Sequence, residues 1–176
     1  AGEVDIIMSG MSISDERSKQ VSFTKPYMDA GQMAIIRFED AGQFGFKGAI
    51  FRPDMKVAVE ANTTGAAFAD QRLRNAKITR CTTLAEALDK LKQKEVDFVV
   101  HDAPTSWGLA TNREMESLMS LNHAMTEEQL GWAVAKNNTE LLNTVNQKLA
   151  QMQDSGMLRA IINKWIPVTV EVESKP

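Results

Sequence analysis

The middle of the chain alternates between short apolar runs and helical patterns. The runs KVAVE, AKITR and VDFVV are rich in β-branched residues and have the length of buried strands. One helix is predicted to begin at residues 62–64. Another begins with a capping box at residues 83–86, and the apolar residues of this second helix recur at helical spacing. This alternation predicts an α/β unit that is built on a parallel sheet.

The flanking segments predict shorter elements and one connector. Three glycines and a proline over residues 39–55 indicate the connector. The predicted elements are strands at Ile6 to Ser9, Met33 to Phe38 and 130–136, an extended piece at Ala49 to Phe51, a helix at Asp15 to Gln20 with Ser14 as its N-cap, a helix that starts around Pro104, and two C-terminal amphipathic helices before a polar tail after Pro167.

Composition narrows the function classes. The 176 residues are 43% hydrophobic and 24% charged with a net charge of −3, which is typical of a globular domain and not of a disordered chain. No basic stripe is present, so nucleic acid is not an expected partner. Cys81 is the single cysteine, which excludes an internal disulfide. Because His101 and His123 stand apart from each other and from Cys81, we expect neither a metal site nor a cofactor.

Polar residues follow the first predicted strand at once. Ser9, Gly10 and Ser12 form a loop, and Arg17 lies in the first turn of the next helix. Ligands of α/β sheets collect beyond the carboxyl ends of strands. A glycine lets a ligand approach the backbone, and an arginine fork matches a carboxylate. The pattern indicates a carboxylate site, and its alternative is a capped surface helix with a solvated arginine.

Two further strand ends carry polar groups. Thr63 and Thr64 offer hydroxyls and helix N–H groups to an anion, and Asp102 offers a carboxylate to an ammonium group. Taken alone, each position is better explained as an ordinary N-cap. His101 is more simply explained as a packed or solvated side chain. Together with Arg17, however, the three positions are complementary to an α-amino acid zwitterion.

The order of these motifs resembles that of the bacterial amino-acid-binding extracytoplasmic solute-binding proteins, the soluble receptors of ABC importers. The chain has DIIMSGMSISDERSKQVSFTKPY where that family has SGMSIT, an arginine and a later S-x-P-Y. VAVEANTT has asparagine in place of a family glycine, and KEVDFVVHD lacks a second one. GWAVAK, Asn146, Leu149 and Lys164-Trp165 match the end of the pattern. The resemblance covers nearly the whole chain.

The resemblance implies an α/β, type II periplasmic-binding-protein-like fold of two lobes that are joined by two crossing strands and close on a ligand by a hinge motion. Residues 1–39 would form part of the first lobe, 40–130 the complete second lobe, and 131–176 the return to the first lobe with the C-terminal helices. Family members carry a strand–helix–strand unit before the SGMSI motif. We therefore expect an incomplete first lobe, an N-terminus that is missing, and a second chain or a domain swap that completes the lobe.

The resemblance also implies ligand roles. Arg17 would pair with the α-carboxylate, Thr64 would bind it from the second lobe, and Asp102 would bind the α-ammonium in the interlobe cleft. The full implied set is Ser9, Gly10, Met11, Ser12, Arg17, Thr63, Thr64 and Asp102. The implied function is delivery of an amino acid to ABC transporter membrane subunits in the periplasm or another extracytoplasmic space.

Two alternatives stay open at this point. One is a cyclohexadienyl dehydratase-like enzyme of the same fold, for which Glu127, Glu128 and Glu171 are unplaced carboxylates. The other is a ligand-sensing domain of a larger membrane-associated protein.

Overall fold

The computed structural model describes residues 3–46, 48–109 and 116–166, so the predicted polar tail after Pro167 lies outside the described residues. The chain divides into two compact units, residues 1–30 with 127–176 and residues 31–126. The strands are β1 Ile6–Ile7, β2 Val21–Phe23, β3 Met28–Ala30, β4 Gln32–Arg37, β5 Lys56–Glu60, β6 Lys77–Cys81, β7 Phe98–Asp102, β8 Leu118–Ser120, β9 Glu128–Leu130 and β10 Ala133–Ala135. The α-helices are α1 Asp15–Ser18, α2 Thr64–Arg72, α3 Leu84–Lys92, α4 Ala103–Leu109, α5 Thr139–Asp154 and α6 Met157–Trp165, and two 3₁₀ helices span Phe38–Phe44 and Ala49–Phe51.

The unit of residues 31–126 is built on a five-stranded sheet in the order β6-β5-β7-β4-β8. β5 pairs in parallel with β6 and β7, as the alternating pattern predicts, and β4 adds antiparallel pairings with β7 and β8. Val57 and Val59 face the side covered by α2, whereas Ala58 faces the side covered by α3. Because both faces are covered, the three central residues of β5, Val57, Ala58 and Val59, are all apolar and buried.

The unit of residues 1–30 and 127–176 has two small antiparallel sheets. One has the strand order β1-β10-β2, and the other pairs β3 with β9. The predicted strand over residues 130–136 is wrong as a single element, because Leu130 ends β9 and Ala133 starts β10 in a different sheet. At Gly131, between them, a Cβ would lie 2.9 Å from Ile13 Cδ1, so the chain passes close to the loop after β1.

The boundaries between the two compact units differ from the predicted lobe boundaries at 39/40 and 130/131. The first unit ends at Ala30 because β4 pairs with β7 and β8 in the sheet of the second unit. The second unit ends at Thr126 because β9 pairs with β3. The extended piece that was predicted for Ala49–Phe51 is wrong, since these residues form a 3₁₀ turn that buries Ile50.

Candidate functional site

The loop after β1 is held by backbone hydrogen bonds. Met11 N–H donates to the Ser9 carbonyl at 2.8 Å and closes a tight turn around Gly10. Ser12 is 2% exposed and forms an isolated bridge with Leu130. The Met11 carbonyl accepts from the Gly131 N–H at 3.1 Å. The predicted ligand residues Ser9 to Ser12 therefore lie on a backbone that β9 and its continuation hold in place.

Arg17 lies against this loop. Ser14 caps α1 by accepting from the Arg17 N–H at 3.3 Å, as predicted. One terminal nitrogen of the guanidinium, Nη1, donates to the Ser12 carbonyl at 3.0 Å. The structure shows no ion pair of Arg17 with any other described residue, and a guanidinium has five N–H donors. Donors therefore remain available to a carboxylate.

Tyr27, the residue directly before β3, supports the same loop. Its phenol donates to the Ser9 carbonyl at 3.2 Å, and its ring packs against that of Trp132 with centroids 5.6 Å apart. Burial raises the pKa of the Tyr27 phenol, so it stays a neutral hydrogen-bond donor. Tyr27 is the final residue of the TKPY part of the motif, so this contact joins the end of the motif segment to its start at Ser9.

In the other unit, α2 begins at the end of β5. Thr63 is its N-cap, and the Thr63 hydroxyl accepts from the Ala66 N–H at 3.1 Å and donates to the Glu60 carbonyl at 2.7 Å. The proton of the Thr63 hydroxyl is therefore committed to the protein. Asn62 precedes it with φ +63°, in the left-handed region. Glycine enters that region freely and asparagine tolerates it, which explains why asparagine fits here.

Thr64 and Asp102 are joined by a residue that sequence reasoning missed. The side-chain nitrogen Nε2 of Gln32 lies 3.0 Å from Thr64 Oγ1 and 2.5 Å from Asp102 Oδ1. Gln32 is 1% exposed and is the cross-strand partner of Asp102 in the β4–β7 pairing. The role of Gln32 follows from this pairing register, and the register can be known only once two residues 70 positions apart are known to be neighbours.

Asp102 stands directly before α4, in the position of an N-cap, and its described side-chain contact is with Gln32. Asp102 is the last residue of β7, α4 starts at Ala103, and the Asp102 carboxylate accepts from Gln32. His101 is mostly buried, as its simpler interpretation requires. The His101 Nδ1 accepts from the Asp102 N–H at 2.8 Å, and its Nε2 lies 3.5 Å from a Glu60 carboxylate oxygen.

The predicted ligand residues thus form two groups. Ser9, Gly10, Met11, Ser12 and Arg17 belong to the unit of residues 1–30 and 127–176, and Thr63, Thr64 and Asp102 belong to the unit of residues 31–126.

The remaining carboxylates and histidines form no further candidate site among the described residues. Glu127 is exposed, Glu128 lies in β9, and Glu171 lies outside the described residues. Within residues 3–46, 48–109 and 116–166, no group of His, Cys, Asp or Glu has the arrangement of a metal site. Over the same ranges, none of the helices combines the length and the apolar character needed to cross a membrane.

Comparison with known sequences gives a consistent result. Residues 1–168 match the bacterial extracellular solute-binding proteins, family 3. The L-cystine-binding protein TcyJ of Escherichia coli is 26% identical over 167 residues, which cover 95% of this chain and 62% of the relative. The ABC transporter arginine-binding protein 1 of Escherichia coli is 30% identical over 170 residues, covering 93% and 66%. The chain therefore spans about two thirds or less of these relatives.

Solved structures agree. The ancestral amino acid-binding protein AncCDT-1, a precursor of cyclohexadienyl dehydratase, has a TM-score of 0.83 and 36% identity, and the match covers 94% of this chain and 69% of that one. A protein from Wolinella succinogenes, described as a binding component of an ABC transporter complexed with lysine, has a TM-score of 0.86 and 28% identity, covering 98% and 74%. The predicted type II periplasmic-binding-protein fold class is confirmed. These proteins are named for binding and not for catalysis.

Proposed function

Since the chain belongs to the bacterial extracellular solute-binding proteins of family 3, we propose that it binds a small amino acid outside the cytoplasmic membrane and delivers it to the membrane subunits of an ABC transporter. The names of its relatives, which specify L-cystine, arginine and amino acids in general, support this proposal. They favour a binding role over a dehydratase-like reaction.

One observation carries the proposal. Thr64 Oγ1 and Asp102 Oδ1 both accept from the single buried side-chain nitrogen of Gln32, so a hydroxyl and a carboxylate are held close together at the carboxyl end of the sheet. An α-amino acid carries a carboxylate and an ammonium group on one carbon atom, which requires a donor and an acceptor at such short separation. Arg17, whose guanidinium has one described hydrogen bond, to the Ser12 carbonyl, would supply the cation for the carboxylate.

Arginine and lysine are the first candidate ligands. A relative named for arginine is 30% identical, and the Wolinella protein is described as complexed with lysine. The half-buried Glu60 ends β5 beside the Thr63–Thr64 loop and would offer a carboxylate to a cationic side chain. The backbone of Ser9 to Ser12 would complete the contacts, with carbonyl groups near the ammonium.

Titration calorimetry with a panel of L-amino acids tests the proposal. We expect at least one amino acid to bind the wild type, and Arg17→Ala and Asp102→Ala to weaken that binding about 30-fold or more, because truncating one partner of a buried charge pair costs about 2–5 kcal/mol. Arg159→Ala and Asp89→Ala are matched controls, since both side chains lie on exposed helix positions. Affinity that is unchanged in both site variants would refute the assignment.

A further inference from the structure

We infer that Gln32 is a positioning residue that sets the hydrogen-bonding roles which Thr64 and Asp102 offer to an amino acid, the first as a donor and the second as an acceptor. The inference rests on the proposed function, because it concerns the same ligand groups. Neither the motif pattern nor the predicted site includes Gln32, which lies buried in β4.

The hydrogens of the Gln32 carboxamide nitrogen are used within the protein. This nitrogen carries two of them. Its neighbours Thr64 Oγ1 at 3.0 Å and Asp102 Oδ1 at 2.5 Å take one each. With both hydrogens used inside the protein, the nitrogen has none left for a ligand. The Gln32 nitrogen can therefore influence a ligand only through Thr64 and Asp102.

The orientation of the carboxamide follows from its partners. An ionised carboxylate accepts hydrogen bonds and donates none, so the group that faces Asp102 must be the NH₂ and not the carbonyl. The carbonyl oxygen then faces α2 at Gly65, where an added Cβ would lie only 2.7 Å from Gln32 Oε1. Gly65 thus leaves the space in which this orientation fits.

This orientation decides what Thr64 can do. A hydroxyl has one hydrogen to donate and two lone pairs. Because the Thr64 oxygen accepts from Gln32, its own hydrogen stays available for an anion such as the α-carboxylate.

The same orientation decides what Asp102 can do. Its Oδ1 accepts from Gln32, so Oδ2 is the oxygen that remains for a cation such as the α-ammonium. A single buried carboxamide therefore sets two opposite polarities, and these match the two ends of a zwitterion.

Two substitutions separate this role from simple packing. Gln32→Met keeps the length of the side chain and removes both donated hydrogen bonds, whereas Gln32→Glu presents an acceptor to Thr64 and a second negative charge to Asp102. The control is Gln129→Met, since Gln129 donates to Asp29 at 3.1 Å from an exposed position on β9.

The probe is L-arginine, or the panel amino acid that binds the wild type, compared with the analogue that lacks the α-amino group. In Gln32→Met we expect the affinity for the amino acid to fall about 10-fold or more, because hydrogen bonds to charged groups are lost. Affinity for the des-amino analogue should fall clearly less. Gln32→Glu should show the larger loss, and Gln129→Met should show none.

Equal losses for the amino acid and its analogue would mean that Gln32 has only a structural role, and would overturn the inference. Unchanged affinity in Gln32→Met would overturn it as well. A merely packed side chain would shift the melting temperature without changing the discrimination between the two probes, so both quantities are measured for every variant.

A second measurement needs no ligand. In nitrogen-15 spectra of the full chain, the two side-chain NH₂ protons of Gln32 should respond to different variants, one to Thr64→Val and the other to Asp102→Asn. If neither proton responds, the inference is wrong whatever the chain binds. If the wild type binds no amino acid while the protons respond as expected, the proposed function fails and the hydrogen-bond arrangement stands.

Discussion

Replacing Gly65 by alanine probes the packing of α2 on the candidate site. Gly65 is the second residue of α2 and is buried. A Cβ there would lie 2.7 Å from Gln32 Oε1 and 3.3 Å from both Cγ1 and the carbonyl oxygen of Val100. The Gln32 side chain is 1% exposed and is held at its nitrogen by two hydrogen bonds, so it cannot turn away freely. Either the carboxamide or the whole first turn of α2 must shift.

The magnitude follows from two opposing effects. Overpacking of a buried site typically costs about 1–3 kcal/mol. Replacing glycine by alanine within a helix stabilises by up to about 1 kcal/mol. We therefore expect Gly65→Ala to lower the free energy of unfolding by up to about 3 kcal/mol, and to weaken amino acid binding because Gln32 no longer holds Thr64 and Asp102 in their positions.

Gly108→Ala is the matched control. Gly108 lies in α4, and an added Cβ would meet no atom of the described residues within 4 Å, so the helical preference favours alanine there. We expect this variant to be more stable than the wild type by about 0.5–1 kcal/mol. Urea unfolding of the three proteins measures the difference. Equal stability changes in Gly65→Ala and Gly108→Ala would show that the site adapts without strain and would refute the reasoning.

Two further predictions concern other positions. Lys94 has φ +62° and ends α3 in a Schellman motif, in which its N–H donates to the Leu91 carbonyl and the next N–H to the Lys90 carbonyl. Lys94→Gly should be about 1 kcal/mol more stable than Lys94→Ala in thermal unfolding. Both variants lose the ion pair with Glu39, and only glycine relieves the strain of the left-handed backbone. Equal stability of the two variants would contradict this. Burial and the nearby Glu86 charge raise the pKa of the Cys81 thiol above its ordinary value of 9.0. A thiol reagent should therefore react with Cys81 only after unfolding. The free energy of unfolding should fall as pH rises through that value, because the thiol ionises first in the unfolded chain. Cys81→Ala should lack this pH dependence, and rapid labelling of the folded wild type would show that the thiol is accessible.

Several structural features could be predicted from the sequence because they depend on residues three or four positions apart. The caps at Ser14, Thr63 and Thr83 are of this kind, since each side-chain oxygen accepts from an N–H three residues later. The strands around Val57 and Val99 are short apolar runs whose burial on both faces follows from composition. Arg17, Thr64 and Asp102 could be proposed as candidate ligand groups because the local sequence shows that each of them follows a predicted strand.

The remaining features depend on which distant segments are neighbours. Residues 130–135 carry no charged side chain, yet Leu130 pairs with β3 and Ala133 with β1 and β2, because the partner strands and not the local preference divide them. Gln32 shows the same dependence within the candidate site. Its neighbours Thr64 and Asp102 are 32 and 70 residues away along the chain, and only the pairing of β4 with β7 and the docking of α2 bring the three side chains together. Local sequence determined which groups were available, and the tertiary pairing of the strands decided which of them share a hydrogen bond, because such contacts depend on long-range packing.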